Sequence, residues 1–283
     1  EPVKADDVYV TATRVEKELQ DVPMSVSVMT SEDIKRSPAR TIGELLQDVP
    51  GVEIRNSGGQ GFKRISIRGE NPNRVLILID GQKLVENKSM DGTPLLIDPS
   101  NVERVEVIKG PASVLYGSEA IGGVVNIITK EPLRNSVTLS NTTNIFEGGT
   151  ADFNTSLNGS FVSDDYKMGV YLFGMIKDRD SYDRNGDGFS DIPKLNSETA
   201  GFRAYYKTSP YTRLTAEYHH IHEFRRGGNE FDQPPHMADI AEQLNHKIDG
   251  GGLKFDWFSP NNRHRMGIYT SAQNIDRDSY FGT

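Results

Sequence analysis

Two rules of hydrophobic spacing govern this chain, and they change over near Pro132. Before it, short apolar runs are broken by tight turn signals. Ser25–Thr30 (SVSVMT) reads as a short strand, and Thr30 or Ser31 caps a short helix beginning SEDIKR. Thr41 with Glu44 makes a capping box for a helix over TIGELLQDV, stopped by Pro50-Gly51. Val52–Arg55, Ile65–Arg68, Val75–Ile79 and Val102–Ile108 read as strands, and Asp80-Gly81 is a turn closing the third. Gly110-Pro111 opens a helical turn, PASVLYG, and VVNIIT is one more strand. The pattern predicts a small α+β domain with tight glycine turns. Ahead of it, Asp7–Arg14 (DVYVTATR) is extended and rich in β-branched residues.

After Pro132 the period becomes two. Ala151, Phe153, Thr155, Leu157, Gly159 and Phe161 fall on one side of a strand; Asp152, Asn154, Ser156, Asn158 and Ser160 fall on the other. Weaker alternation predicts strands over 135–146, 165–177, 199–208, 212–224, 253–258 and 263–274, about seven strands together. The connections are FEGGT, VSDD, a long loop from Arg179 to Glu198, SPY, a longer loop from Arg225 to Asn245, and SPNN. Tight turns at one end and longer loops at the other are the arrangement of an antiparallel transmembrane β-barrel. A soluble β-sandwich is the alternative, but it needs no polar inner face rich in Ser, Asn, Asp and Lys.

Composition narrows the classes. Only 35% of the 283 residues are hydrophobic, and no run approaches the ~18 apolar residues of a helical membrane span. Barrel strands need no such run. A net charge of -8 argues against a nucleic-acid partner, which selects a basic surface. With no cysteine, disulfide scaffolds, thiolate catalysis and Cys-ligated zinc drop out. The sequence carries no HExxH, GxSxG or phosphate-loop motif, and its carboxylates sit in loops, so it does not read as an enzyme. Residue 1 is Glu with no signal features after it, so any signal peptide has been removed.

One stretch has metal-ligand spacing. Asp183, Asn185 and Asp187 offer oxygens at positions 1, 3 and 5, with Phe189 supplying a carbonyl at 7 and Asp191 an acid at 9. Lys194 stands where an EF-hand places its bidentate Glu, so the stretch is either a calcium loop completed by another acid, with Asp232 and Asp239 as donors, or an acidic hairpin tip. His219, His220 and His222 share a predicted strand, and His220 and His222 share a face; a lumen or interface role competes with a metal there. His236-Met237 offers haem-ligand chemistry against the plainer reading of a solvated loop.

The segments IGELLQDVPGVEIRNSGGQGFKRISIRGENPNRVLILIDGQKL and IDPSNVERVEVIKGPASVLYGSEAIGGVVNIITK resemble the plug domain of TonB-dependent outer-membrane receptors. The resemblance covers residues 7–130. It implies a periplasmic segment over 1–14, a plug over 15–132 and a partial barrel over 133–283. Asp7, Val8, Tyr9, Val10, Thr11 and Ala12 are similar to the family's TonB box, an extended segment that adds as a strand to TonB. A frayed terminus is the alternative. Arg68, Arg104 and Lys109 stand where the family's plug cations lock to barrel glutamates; lysine at 109 loses bidentate pairing. Two polar loops are expected to meet cargo, through Asn56, Ser57 and Gln60 and through Asn87, Ser89, Met90 and Asp91, with His236 from a barrel loop. The resemblance implies TonB-driven import of an iron chelate (ferric siderophore or haem) across the bacterial outer membrane. A cobalamin receptor with calcium-ordered loops is the alternative cargo class, and a passive porin or adhesin is the alternative function. No cofactor is required, and Ca2+ is a candidate structural ion. Family barrels have about 22 strands, so seven predict a piece of a longer receptor; SYFGT at the end does not read as a closing strand.

Overall fold

The computed structural model describes residues 9–10, 17–18, 24–37, 39, 41–57, 62–83, 99–147, 149–261 and 263–282. They fall into two compact units, and the chain passes from the first to the second between Lys130 and Glu131.

The first unit opens with a short antiparallel pair, β1 (Tyr9–Val10) and β2 (Lys17–Glu18). β3 (Val26–Met29) leads into α1 (Ser31–Arg36). Thr30 is its N-cap: its hydroxyl accepts from the Asp33 amide while the Asp33 carboxylate accepts from the Thr30 amide at 2.9 Å. Thr41 caps α2 (Ile42–Leu45) by accepting from the Glu44 amide, but the helix expected over TIGELLQDV tightens into a 3₁₀ turn at Leu46–Asp48. β4 (Val52–Ser57) and β5 (Phe62–Ile67) form a separate ribbon. β6 (Val75–Ile79), β7 (Gln82–Lys83), β8 (Val102–Lys109) and β9 (Gly123–Thr129) join β3 in a five-stranded sheet of order β3-β8-β9-β6-β7. One helical turn, α3 (Ser113–Tyr116), lies between β8 and β9.

Period-two alternation gives this sheet two apolar faces. Val75, Ile77, Val105, Val107, Val125 and Ile127 pack with Ile42, Leu45 and Leu46 on one side. Leu76, Leu78, Ile108 and Val124 pack with Ala112 and Ala120 on the other. Two turns hold the sheet together. Asp80 and Gly81 both have positive φ, which a two-residue hairpin between β6 and β7 requires. The Asp80 carboxylate then accepts from the Thr129 amide at 3.0 Å and hydroxyl at 2.6 Å, tying the turn to β9. Gly123, at φ +141, brings β9 so close to Ile67 that a Cβ would stand 2.8 Å from its Cδ1.

The second unit is one antiparallel meander of seven strands: β10 (Ser136–Ile145), β11 (Ala151–Val162), β12 (Met168–Arg179), β13 (Lys194–Ser209), β14 (Thr212–Gly228), β15 (Ala241–Phe258) and β16 (Arg265–Gly282). Successive strands pair throughout. Connections 146–150, 180–193 and 229–240 gather at one end, the loop end; 163–167, 210–211 and 259–264 form the turn end. Strand ends run further than the alternation predicts. β13 starts at Lys194, β14 continues to Gly228 and β15 begins at Ala241, so the two long loops shrink to 180–193 and 229–240. The added lengths, KLNSE, RRGG and AEQLNHKIDGGG, mix polar residues on both faces with the buried Leu195, Leu244 and Ile248, which breaks the period-two signal although the ladder continues. SYFG likewise ends β16, paired with Ala241–Leu244.

The sheet is inverted relative to a water-soluble one. On β11, Phe153, Leu157 and Phe161 are 48%, 54% and 49% exposed, while Ser156, Asn158 and Ser160 are 2–5% exposed. The apolar face is open and the polar face enclosed. Leu139 pairs with Leu157, Leu172 with Phe202, Phe202 with Tyr218, and Tyr206 with Leu214, so the open apolar positions form a continuous band across strands. In water such a band would be an aggregation surface; in a bilayer it faces acyl chains. Leu157→Arg is therefore expected to destabilise the protein in lipid vesicles by about 2–4 kcal/mol, measured by denaturant unfolding. A cost near zero, as for an exposed position in water, would contradict lipid contact there.

Candidate functional site

At the loop end, the three loops are built by short-range bonds and then tied to one another. The hairpin 180–193 closes on a bridge between Tyr182 and Ile192, with N–H···O distances of 2.9 and 3.0 Å. Inside it Asp183 organises the backbone: one carboxylate oxygen accepts from the Gly186 amide at 2.7 Å and the other from Gly188 at 2.8 Å. Asn185 accepts from the Asp187 amide, Asp187 from the Phe189 amide, and Asp191 from the Arg184 amide. This is what Asx residues at alternate positions do in a tight loop. The Gly188 amide, with Gly186 beyond it, holds the Asp183 carboxyl below its ordinary 3.8, against a smaller opposing desolvation.

The neighbouring loop 229–240 is organised around Arg226. Its guanidinium donates to the carbonyls of Glu230, Phe231 and Gln233 at 2.9, 3.3 and 2.6 Å and lies 5.3 Å from the Phe231 ring. Asn229 closes the loop, donating to Asp239 at 3.1 Å and accepting from the Ile240 amide. Two contacts tie the loops together. The Ser190 amide donates to the Gly228 carbonyl at 2.9 Å while the Gly228 amide donates back to the Ser190 hydroxyl at 3.1 Å. Phe146 stacks on Tyr182 at 5.6 Å, joining 146–150 to 180–193. Below the loops, Glu223 and Arg225 form a buried ion pair on the enclosed face of β14.

The sequence-predicted residues are distributed as follows. Asp7, Val8, Thr11, Ala12, Gln60, Asn87, Ser89, Met90 and Asp91 lie outside the described residues. Tyr9 and Val10 are the strand β1, and Asn56 and Ser57 end β4 opposite Lys63 and Phe62. His236 is exposed in a 3₁₀ turn at Pro235–Met237. Arg68 has positive φ and donates to the Ser25 hydroxyl at 3.3 Å. Arg104 pairs at 2.9 Å with Glu106, a fully buried side chain two residues along β8. Lys109 ends β8, its amide on the Ser25 carbonyl. His220 and His222 do share a face, the open one: His220 Nδ1 is 2.8 Å from Asp249 and His222 Nε2 is 3.0 Å from Asn245. For Ca2+, Asp183, Asn185, Asp187, Phe189 and Asp191 are together, but both Asp183 oxygens are engaged by amides. Asp239 is engaged by Asn229, and among the described residues no three His, Cys, Asp or Glu converge on one point. A calcium sphere takes about six to eight oxygens, so the loop's own set would need further donors to complete one. The Arg226 loop cap, the Ser190–Gly228 clasp and the Phe146–Tyr182 stack escaped the sequence reading, because none follows from spacing within one segment.

A mixed-sheet domain followed by meander strands with an open apolar face and clasped loops at one end is a plug-and-barrel architecture. The comparisons agree. Residues 18–124 match the family described as TonB-dependent Receptor Plug Domain. The vitamin B12 transporter BtuB of Vibrio vulnificus is 44% identical over 126 residues, covering 44% of this chain and 20% of that protein. The ferric enterobactin receptor PirA of Pseudomonas aeruginosa is 41% identical over 179 residues, covering 56% of this chain and 24% of that protein. A crystal structure of the siderophore receptor PirA from Pseudomonas aeruginosa superposes with a TM-score of 0.68 at 22% identity, over 92% of this chain and 42% of that one, a likeness of fold. Residues 18–124 are thus similar to the plug domain of TonB-dependent receptors, and the chain shares the fold of their plug and barrel strands. It spans about a quarter or less of the curated relatives it matches.

Asp183→Ala is expected to speed amide exchange across 180–193 by about tenfold or more, leaving β12 and β13 protected. Acid should act the same way. The folded pKa lies below the unfolded one, so the stabilisation is complete above pH about 4 and is lost as pH falls further through the folded value. Hairpin protection that is unchanged between pH 7 and pH 3, after correction for intrinsic exchange, would contradict this role for Asp183.

Proposed function

We propose that the protein acts in TonB-dependent import of a ferric siderophore across the outer membrane. The observation that carries the reading is the order of its parts, a plug domain at residues 18–124 followed by lipid-facing barrel strands. A passive pore needs no plug, and an adhesin needs no lumen. The choice of cargo rests on how far the relatives reach. The match to the ferric enterobactin receptor covers 56% of the chain, more than the first unit alone, so it extends into the second unit. The match to the vitamin B12 transporter covers 44%, a plug-sized length that carries little information about cargo.

In this reading Asp7–Ala12 is the segment that TonB grips, and Asn56, Ser57, Gln60, Asn87, Ser89, Met90, Asp91 and His236 contact the chelate. No catalytic step and no resident cofactor are involved. The Asp183–Asp191 hairpin holds its shape through its own amides, and calcium binding there would have to compete with Gly186 and Gly188 for Asp183. Calorimetry with Ca2+ is expected to give the same trace for the parent receptor and for Asp187→Ala; a heat lost in the variant would assign the hairpin a calcium site.

Deleting residues 7–12 is expected to abolish uptake by cells while the purified receptor binds its chelate with unchanged affinity. Uptake that survives the deletion would sink active transport. Titration of the receptor with ferric catecholates, haem and cobalamin tests the cargo: tight cobalamin binding without siderophore binding would replace the siderophore reading with the cobalamin one.

A further inference from the structure

The chain leaves the first unit for the barrel strands at the peptide bond between Lys130 and Glu131, and the residues on both sides of that bond are fastened. Lys130 belongs to the first unit. Its amide donates to the Asn101 carbonyl at 2.9 Å and its Nζ to the Ser100 carbonyl at 2.6 Å. Glu131 belongs to the second. Its Oε2 accepts from Arg213 Nη2 at 2.9 Å, and its Oε1 lies 3.7 Å from Arg203 Nη2. The partners are 72 and 82 residues away in sequence, on the enclosed faces of β13 and β14 near the turn end. The Arg213 guanidinium also lies 4.6 Å over the ring of Tyr205. Pro132 completes the seat. It and the Tyr205 ring lie against Gly169 of β12, where a Cβ would come within 2.9 and 2.5 Å of them.

We propose that Glu131, held by Arg203 and Arg213, is a mechanical stop: tension drawn along the first unit ends here and is not passed to β10. The proposal rests on the reading that the plug is pulled during transport. Its physical basis is the route that load would take. Without the stop, tension reaching residue 131 would fall on β10, whose ladder to β11 begins at Ser136. A carboxylate shared by two guanidiniums redirects that load to β13 and β14, strands paired on both sides. The fastening of Lys130 on the other side means that the last plug strand, β9, yields as a separate event before the stop is loaded. Glu131 is a positioning residue in this scheme and touches no cargo.

The test is single-molecule extension of the full receptor in a lipid bilayer, held by the barrel and pulled from a handle at residues 7–12. The last plug rupture should fall at a released length of roughly 130 residues, about 3.3–3.6 Å each. Glu131→Gln and Arg213→Gln should each raise its rate at constant force roughly five- to tenfold, the modest end for a charge-assisted bond because Glu131 is partly solvated. The double variant should be no faster than either single one. Gly169→Ala, which crowds Pro132 and Tyr205 without altering charge, should hasten the same event. Unchanged rates in the single variants, or additive effects in the double, would overturn the proposal. The measurement uses neither TonB nor cargo. Failure of the transport reading would show instead as uptake surviving deletion of residues 7–12, with the rupture event intact.

Discussion

In hydrocarbon there is no water to satisfy a backbone amide or carbonyl, so a strand crossing a bilayer must pair along its whole buried length. That constraint underlies the second unit. Every interior strand of the meander is hydrogen-bonded on both sides, and β14, β15 and β16 are 17–18 residues long, well beyond the ~9–11 needed to cross. The surplus lies at the loop end, where ladder pairing continues through largely polar sequence with Leu195, Leu244 and Ile248 buried in it. There the strands serve as rigid posts. Because β13 and β14 extend far enough, Ser190 reaches Gly228 and the loops can be clasped at their bases and not only at their tips.

The first unit solves a different problem. It is a small domain with helices shorter than two turns, so little of its order comes from helix propensity. Its sheet is instead fixed by buried valines and isoleucines on both faces and by turn chemistry with few alternatives. The Asp80-Gly81 turn shows the economy of this. The same aspartate adopts the positive φ the hairpin needs and spends its carboxylate on Thr129, so one residue sets both the turn and its docking on β9. Arg104 and Glu106 add an ion pair within a single strand, where burial of Glu106 makes its partner obligatory.

How much of this was legible in the sequence depended on the range of the interaction. Strand VLILI, the DG hairpin, the Thr30 and Thr41 caps and the alternation of β11 are encoded within a few residues, and they can be read there. Strand ends were lost where KLNSE and AEQLNHKIDGGG carry polar side chains on both faces, since amphipathicity is the only local sign of a strand. The Asp183–Asp191 stretch was legible as an Asx-rich loop but ambiguous in chemistry: oxygen spacing that suits calcium also suits backbone amides, and the Gly186 and Gly188 amides that fill it here lie within the same segment. The Glu131 contacts were illegible, because nothing near residue 131 indicates an arginine 82 positions later.

Short-range and long-range contacts also divide the mechanical work. The loop-end elements are held by bonds spanning two to eleven residues inside each loop, with single clasps between loops. Such a rim can loosen one loop at a time, which suits a surface that admits and releases a bulky ligand. The junction at Lys130 and Glu131 is built the opposite way, from contacts 30 to 82 residues apart in sequence. A contact of that span cannot be relieved by local fraying; it opens only when the chain itself is drawn away from the sheet. The chemistry also differs in kind. Asx–amide bonds are directional and break with small backbone rotations, whereas a carboxylate between two guanidiniums tolerates displacement by exchanging oxygens and donors before it lets go. In the proposed transport cycle, a fold that is compliant at one end and resists a pull at the other needs both kinds of fastening.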